Sequence, residues 1–239
     1  MSPTDLQKCL YEDCEVRDGG VFYKKVQQLI ADESPLCNLS KNNNSKIGRV
    51  AAIMPVHQMG FPCEIDTIVG LAKEFELPVV EDAACAIGSE VSFDGGNSYE
   101  KIGKPHGDIA CFSFHPRKVL TTGDGGMITT NNSRYDSQFR LLRQHGMSVP
   151  DSVRHDSKRV IFEEYVTTAF NYRMTDIQAA MGIEQLKKLD NITAKRSILA
   201  DHYKKLLGDI SLLKMYDTKG LTRPNWQSFP LRLSQNVKL

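Results

Sequence analysis

The sequence predicts an α/β fold built around a mainly parallel sheet. Residues 50–54 (Val-Ala-Ala-Ile-Met) form a continuous apolar run, which is typical of a strand buried on both faces. Apolar residues then recur at helical spacing over residues 65–75, and a second apolar stretch at 77–80 ends at Glu81-Asp82. Strand, helix and strand at this spacing form a βαβ unit, whose two strands are parallel.

Further strands and a helical last third continue the pattern. Gly146 is suited to end a helix, Thr175 is a good N-cap, and a change of domain is placed near Asp190. Residues 1–45 predict two short helices and a polar, asparagine-rich loop. The remaining predicted elements are strands over 109–114 and 127–130, helices over 135–145 and 176–189, a helical stripe over 192–206, and short strands over 210–215 and 228–233.

The composition and charge of the chain narrow the classes of partner. Its 30 lysines and arginines nearly cancel its 29 aspartates and glutamates, so the formal net charge is +1. This balance gives no electrostatic reason to expect nucleic acid or an anionic membrane as partner, and no apolar stretch reaches membrane-spanning length. The six cysteines form no C-x-x-C pair, so no metal site is predicted. We expect a reduced, cytoplasmic protein without a signal peptide.

Three candidate positions follow the predicted strands, at the sheet edge where parallel sheets bind ligands. His57 follows the first strand, Asp82 the second, and residues 113–118 the third. Each has a structural alternative, because a histidine is commonly a hydrogen-bonded core residue and an aspartate at a strand end can cap a short helix. Likewise, Ser113 can bond to the backbone, and the glycine-rich residues 123–126 can form a hairpin turn.

Lys118 has the setting that a Schiff-base lysine requires. Most lysines are solvated at the surface, but Lys118 lies a few residues beyond a buried strand and precedes a glycine-rich turn. Partial withdrawal from water favours the neutral, nucleophilic form of a lysine amine. Spacing alone leaves both interpretations of this lysine open.

Five ordered motifs carry a family resemblance that covers roughly residues 49–196. They are residues 55–62 (Pro-Val-His-Gln-Met-Gly-Phe-Pro), 80–84 (Val-Glu-Asp-Ala-Ala), 107–118 (Gly-Asp-Ile-Ala-Cys-Phe-Ser-Phe-His-Pro-Arg-Lys), 123–126 (Gly-Asp-Gly-Gly) and 171–180 (Asn-Tyr-Arg-Met-Thr-Asp-Ile-Gln-Ala-Ala). In this order they resemble the DegT/DnrJ/EryC1/StrS family of sugar aminotransferases. That family uses pyridoxal phosphate on the aspartate aminotransferase-like scaffold, known as fold type I.

The resemblance implies a role for each candidate residue. Lys118 would carry the cofactor as a Schiff base and shuttle the proton, and Asp82 would keep the ring nitrogen protonated. Ser113 would hydrogen-bond to the cofactor phosphate. Asn171 would reach the phosphate of the neighbouring subunit's cofactor, which implies a homodimer with shared sites. His57 would lie near the cofactor.

The resemblance also implies a reaction and a domain layout. An amino group would pass from an amino acid, usually glutamate in this family, to a keto group of a nucleotide-linked sugar in a ping-pong reaction. Such a reaction belongs to amino sugar and polysaccharide biosynthesis. The cofactor-binding large domain would span residues 1–190, and residues 191–239 would begin a small C-terminal α+β domain.

The sequence departs from the family pattern in two ways. Cys85 stands where the family usually has a cofactor-contacting glutamine, and a thiol is only a weak donor. We also expect a chain truncated at both ends, without the family's N-terminal phosphate-binding turn, and therefore weak cofactor binding.

Two alternatives remain open. A related sugar dehydratase is disfavoured by Lys118, because such relatives carry histidine there. The other alternative is an inactive fragment that acts at most as a binding or scaffold protein.

Overall fold

The computed structural model describes residues 51–149, 162, 164–216, 218 and 220–234. The helices predicted before residue 46 therefore lie outside the described residues, as does residue 50 of the first predicted strand. The helices are α1 (Ile65–Glu74), α2 (Ser133–Leu142), α3 (Asp176–Leu186) and α4 (Leu189–Leu207). The strands are β1 (Val80–Asp82), β2 (Glu90–Val91), β3 (Glu100–Lys101), β4 (Ile109–Ser113), β5 (Gly126–Thr129), β6 (Leu213–Met215), β7 (Thr222–Arg223) and β8 (Leu231–Leu233).

The main sheet is parallel except at one edge. β1 pairs with β4 in parallel, and β4 pairs with β5 in the antiparallel direction. Residues 53–57 lie along the other side of β1, also in parallel, and four backbone hydrogen bonds of 2.9–3.0 Å join them to residues 78–82. The first predicted strand is thus displaced towards the C-terminus. Its ladder passes Pro55, which takes part only through its carbonyl oxygen.

Helix α1 covers one face of this sheet. Its apolar residues recur at a spacing of three and four, so they form one buried stripe. Asp66 in the first turn and Lys73 in the last turn complement the helix dipole. The stripe is made of Ile65, Ile68, Leu71 and Ala72, and it packs in one core cluster with Ile53, Val79, Ala83 and Ala110 of the sheet segments.

The predicted helix over 176–189 is divided in the structure. Thr175 forms a full capping box with Gln178 at the start of α3, as expected of a good N-cap. The helix ends at Leu186, because the Lys188 N–H bonds to the Gln185 carbonyl, three residues back, instead of four. A new helix, α4, then begins at Leu189.

Short strands and an aromatic cluster complete the described chain. β2 pairs with β3 and β7, and β6 pairs with β8, all in antiparallel fashion. Trp226 and Phe61 are buried against each other, with ring centroids 5.1 Å apart, and Ala200 of α4 packs beside them. None of the described helices combines the length and the apolar character needed to cross a lipid bilayer.

Candidate active site

Strand β1 presents two adjacent carboxylates to opposite faces of the sheet. Glu81 is fully buried among the core side chains, whereas Asp82 is half-buried on the other face. Asp82 lies beside Cys111 in the parallel register, and the pKa of the Cys111 thiol is raised by burial and by the Asp82 charge. One Asp82 oxygen accepts the Ala84 N–H at 3.0 Å. The other accepts no hydrogen bond from the described residues.

His57 is held inside the core by Glu81. Its Nε2 lies 3.0 Å from Glu81 Oε2, and its Nδ1 accepts the Cys63 N–H at 3.2 Å. Nε2 therefore carries the ring proton and donates it. Burial acts to raise the pKa of Glu81, but hydrogen bonds from His57 and from the Gly107 N–H outweigh it and hold that pKa below its usual value. Burial also raises the pKa of Cys63 to about 12, so this thiol stays protonated.

These contacts occupy both ring nitrogens of His57 with protein groups. The structure thus places His57 behind the strand, on the Glu81 side, away from the face that carries Asp82. A contact between His57 and a cofactor stays a prediction. The structural alternative of a hydrogen-bonded core histidine describes the observed geometry.

Lys118 is turned towards the loop that follows Asp82. Its backbone N–H bonds to the His115 carbonyl, which forms a turn after β4. Its half-buried side chain places Nζ 3.0 Å from Cys85 Sγ. Cys85 is three residues beyond Asp82, so the carboxyl ends of β1 and β4 bring the predicted lysine and the predicted aspartate to the same sheet edge. The residue that departs from the family pattern is the one that Lys118 touches.

Ser113 and the glycine-rich segment lie on the same side. Ser113 ends β4 half-buried on the Cys111 face, and its Oγ accepts the His115 N–H at 3.3 Å, which leaves its own O–H as a donor. The Phe114 N–H bonds to the Gly125 carbonyl at 2.8 Å, so residues 123–126 lead directly into β5. The Gln178 side chain donates to the Asp124 carbonyl at 3.1 Å and ties this segment to the start of α3.

Asn171 lies apart from the other predicted residues. It is exposed, its backbone bridges to Gln144, and its Oδ1 accepts the Arg173 Nε–H at 3.2 Å. The rings of Phe170 and Tyr172 stack at 4.9 Å beside it, and both are more than half exposed. Within one chain this asparagine therefore faces outward.

Two residues near Lys118 were missed by the sequence reasoning. The Asn225 side chain donates to the carbonyls of Cys85 and Ile87, and the Gln227 side chain bonds to the backbone on both sides of Lys118. These contacts span more than 100 residues of sequence, so no local pattern indicates them. Across the described ranges, no group of three or more His, Cys, Asp or Glu side chains is arranged to hold a metal ion.

Comparison with known proteins gives a consistent match. The GDP-perosamine synthase of Caulobacter vibrioides is 41% identical over 159 residues, which are 66% of this chain and 38% of that protein. The UDP-4-amino-4,6-dideoxy-N-acetyl-beta-L-altrosamine transaminase of Campylobacter jejuni is 37% identical over 188 residues, which are 79% of this chain and 43% of that one. The chain thus spans less than half the length of these two curated relatives.

A solved structure and a family model agree with these relatives. PseC of Helicobacter pylori, an aminotransferase involved in the biosynthesis of pseudoaminic acid, superposes with a TM-score of 0.69 at 27% identity. The match covers 81% of this chain and 48% of PseC. The predicted aspartate aminotransferase-like fold is confirmed by this similarity. Because the family model matches residues 19–238, the chain belongs to the DegT/DnrJ/EryC1/StrS aminotransferase family.

Proposed function

We propose that this chain is a pyridoxal phosphate-dependent aminotransferase that transfers an amino group to a keto group of a nucleotide-linked sugar. The single observation that carries the proposal is the position of Lys118, whose amine lies 3.0 Å from Cys85 Sγ at the carboxyl edge of the sheet. In open α/β sheets this edge is where ligands bind. The strand beside β4 ends at Asp82, so an amine and a carboxylate share this edge, which is the pair of groups that the proposed chemistry requires.

The residues at this edge fit pyridoxal phosphate chemically. The cofactor requires an amine for its aldehyde, a carboxylate for its ring nitrogen and hydrogen-bond donors for its phosphate. Lys118, Asp82 and Ser113 supply one group of each kind, all half-buried. When bound, the cofactor supplies an electron sink that stabilises a carbanion at the substrate carbon.

Each side chain then has a defined task. Lys118 Nζ would hold the cofactor covalently and, when released by an amino-acid donor, would accept and return a proton. Asp82 would keep the ring nitrogen protonated through the oxygen that does not accept the Ala84 N–H. The Ser113 O–H would donate to the phosphate. Cys85 contacts Lys118 and offers only a weak donor where the family has an amide.

The names of the relatives support the substrate class. The names of both curated relatives contain a GDP- or UDP-linked sugar that carries nitrogen. We therefore propose a nucleotide-linked keto sugar as acceptor and glutamate as amino donor. The cytoplasmic location and the absence of a nucleic-acid partner remain predictions from composition.

We further propose a homodimer in which Asn171 completes the partner's site. Its outward position, beside the exposed stacked rings of Phe170 and Tyr172, suits an interface. A mixture of Lys118→Ala and Asn171→Ala chains, refolded together, is expected to recover activity that neither variant has alone. No recovery in co-refolded dimers would argue against shared sites.

The cofactor lysine is tested by borohydride reduction after incubation with pyridoxal phosphate, followed by peptide mass spectrometry. We expect a phosphopyridoxyl adduct confined to Lys118. Lys118→Arg is the matched variant, because it keeps the positive charge but forms no stable Schiff base. The exposed Lys187 of the same chain is the internal control for non-specific labelling.

The acceptor is tested by product analysis. Wild-type protein with glutamate and a nucleotide-linked keto sugar is expected to give a product in which an amine replaces the keto oxygen, and Lys118→Ala is expected to give none. An unlabelled Lys118 in folded protein, with no aminated product, would support the inactive binding or scaffold fragment instead.

A further inference from the structure

Gln227 holds the backbone on both sides of Lys118. Its Oε1 accepts the Val119 N–H at 2.9 Å, and its Nε2 donates to the Arg117 carbonyl at 2.8 Å. Lys118 therefore lies between two residues whose main chains are bonded to one side chain. Both bonds cross 108 to 110 residues of sequence. Backbone bonds of this kind fix where Cα of Lys118 lies and in which direction its side chain leaves the chain.

Asn225 holds the loop that faces Lys118. It is fully buried, and its Nδ2 donates to the Cys85 carbonyl at 2.9 Å and to the Ile87 carbonyl at 2.8 Å. Its Oδ1 accepts the Gln227 N–H at 2.8 Å. The Asn225 side chain is thus bonded to the main chain of Gln227, and the two residues together connect the loop of Cys85 with the loop of Lys118.

The connecting residue, Trp226, has a constrained backbone. Its φ of +54° lies in the left-handed region that non-glycine residues rarely adopt. Its carbonyl accepts a bond from Arg196 of α4 at 2.7 Å, and its ring packs on Phe61. Gly60, at φ +91°, passes so close that a Cβ there would lie 2.0 Å from Asn225 Oδ1. Arg196, Phe61 and Gly60 therefore hold the segment 225–227 in the conformation that directs Asn225 to the loop of Cys85 and Gln227 to the loop of Lys118.

We propose that Asn225 and Gln227 are positioning residues for the cofactor lysine, which set the placement of the Lys118 amine against the loop of Asp82 and Cys85. The proposal rests on the proposed function of Lys118. Neither side chain touches the reacting atoms. Their effect passes through the backbone of residues 117–119 and through the Cys85 carbonyl.

The test uses the full chain without added cofactor and three variants. Gln227→Ala removes both bonds to the Lys118 segment. Gln227→Glu keeps an acceptor for the Val119 N–H but loses the donor to the Arg117 carbonyl. Ser228→Ala is the matched control. This neighbour is exposed, and its bond to the Met59 carbonyl comes from the main-chain N–H, which the substitution keeps.

Two readouts separate positioning from general stability. The first is hydrogen exchange at the Val119 amide, which we expect to become about tenfold faster or more in Gln227→Ala, since about 1.4 kcal/mol of lost hydrogen bonding corresponds to a factor of ten. The second is the pH profile of Lys118 acylation by acetic anhydride, with Lys187 as the internal reference. We expect a displaced profile for Lys118 and an unchanged one for Lys187. Gln227→Glu is expected to fall between wild type and Gln227→Ala.

The inference is wrong if Gln227→Ala matches Ser228→Ala in both readouts. If Gln227→Ala does not fold, the same comparison with Gln227→Glu decides the question. A failure of the proposed function has a different signature: wild-type Lys118 would not be trapped by borohydride with pyridoxal phosphate, while the exchange and acylation results would still decide whether Gln227 positions the segment.

Discussion

Replacement of His57 by phenylalanine is expected to destabilise the protein severely. Phenylalanine preserves much of the ring volume but removes the donor to Glu81 and the acceptor of the Cys63 N–H. Glu81 and Cys63 are both buried, so water cannot replace the lost hydrogen bonds. Loss of the hydrogen bond that His57 donates to the Glu81 carboxylate, a charged acceptor, costs about 1.5–3 kcal/mol. An orphaned buried N–H adds about 1–3 kcal/mol. The sum, roughly 2.5–6 kcal/mol, is a large part of the stability of a typical domain, about 5–15 kcal/mol.

Urea unfolding followed by circular dichroism measures this loss. With a slope of about 2 kcal/mol per M, a loss of 4 kcal/mol moves the midpoint down by roughly 2 M. His202→Phe is the matched control, since His202 is exposed on α4 and its replacement should change stability by about 0.5 kcal/mol or less. The double variant His57→Phe/Glu81→Leu removes the unpaired charge as well, so it should be more stable than His57→Phe alone.

Two results would refute this reasoning. A His57→Phe midpoint equal to that of His202→Phe would mean that Glu81 does not depend on the imidazole. A double variant no more stable than the single one would mean that an uncompensated carboxylate is not the source of the loss.

Four further outcomes are expected. Thr175→Ala should lower the unfolding free energy by about 1 kcal/mol in urea titrations, because it removes the capping box of α3. Gly146→Ala should cost more than that in the same titration, since φ is +72° and the added Cβ would lie 2.2 Å from the Thr167 carbonyl oxygen. The pKa of Glu81 is lowered in the folded state, so its contribution to stability is complete above the ordinary value of 4.5 and is lost as the pH falls through the lowered value. Thermal melts at several pH values should therefore show a weaker loss of stability in acid for Glu81→Gln than for the wild type. Cys85→Gln, which restores the family's amide, should slow release of pyridoxal phosphate measured by dialysis and absorbance.

Long periodic segments of the fold could be predicted from the sequence. Helix α1 and strand β4 were expected within one residue of their ends, because a buried stripe and a continuous apolar run leave clear patterns. The small sheet of β2, β3 and β7 was not expected. Its strands are two residues long and include Glu90, Glu100 and Lys101, so they show no alternation of apolar and polar residues from which a strand could be predicted.

The site shows the same division. Asp82 ends β1 and Lys118 follows β4, at the sheet edge where parallel sheets bind ligands. Asn225 and Gln227 act through side chain–backbone bonds, and these depend on where distant loops meet, which composition and spacing do not encode. The role expected for His57 depended on a motif, and a motif does not reveal that Glu81 lies 3.0 Å from its ring.

The alternation of side chains in β1 has a consequence for engineering. Glu81 and Asp82 are neighbours in the chain, yet one belongs to the core and the other to the proposed cofactor-binding edge. A library that varies Asp82 and its surroundings can therefore explore reactivity without disturbing the pair on which the core depends. Conversely, changes at Glu81 act on the core, on the side of the strand opposite Asp82. Core stability and the chemistry of the proposed site can thus be varied separately in this strand, at two adjacent residues.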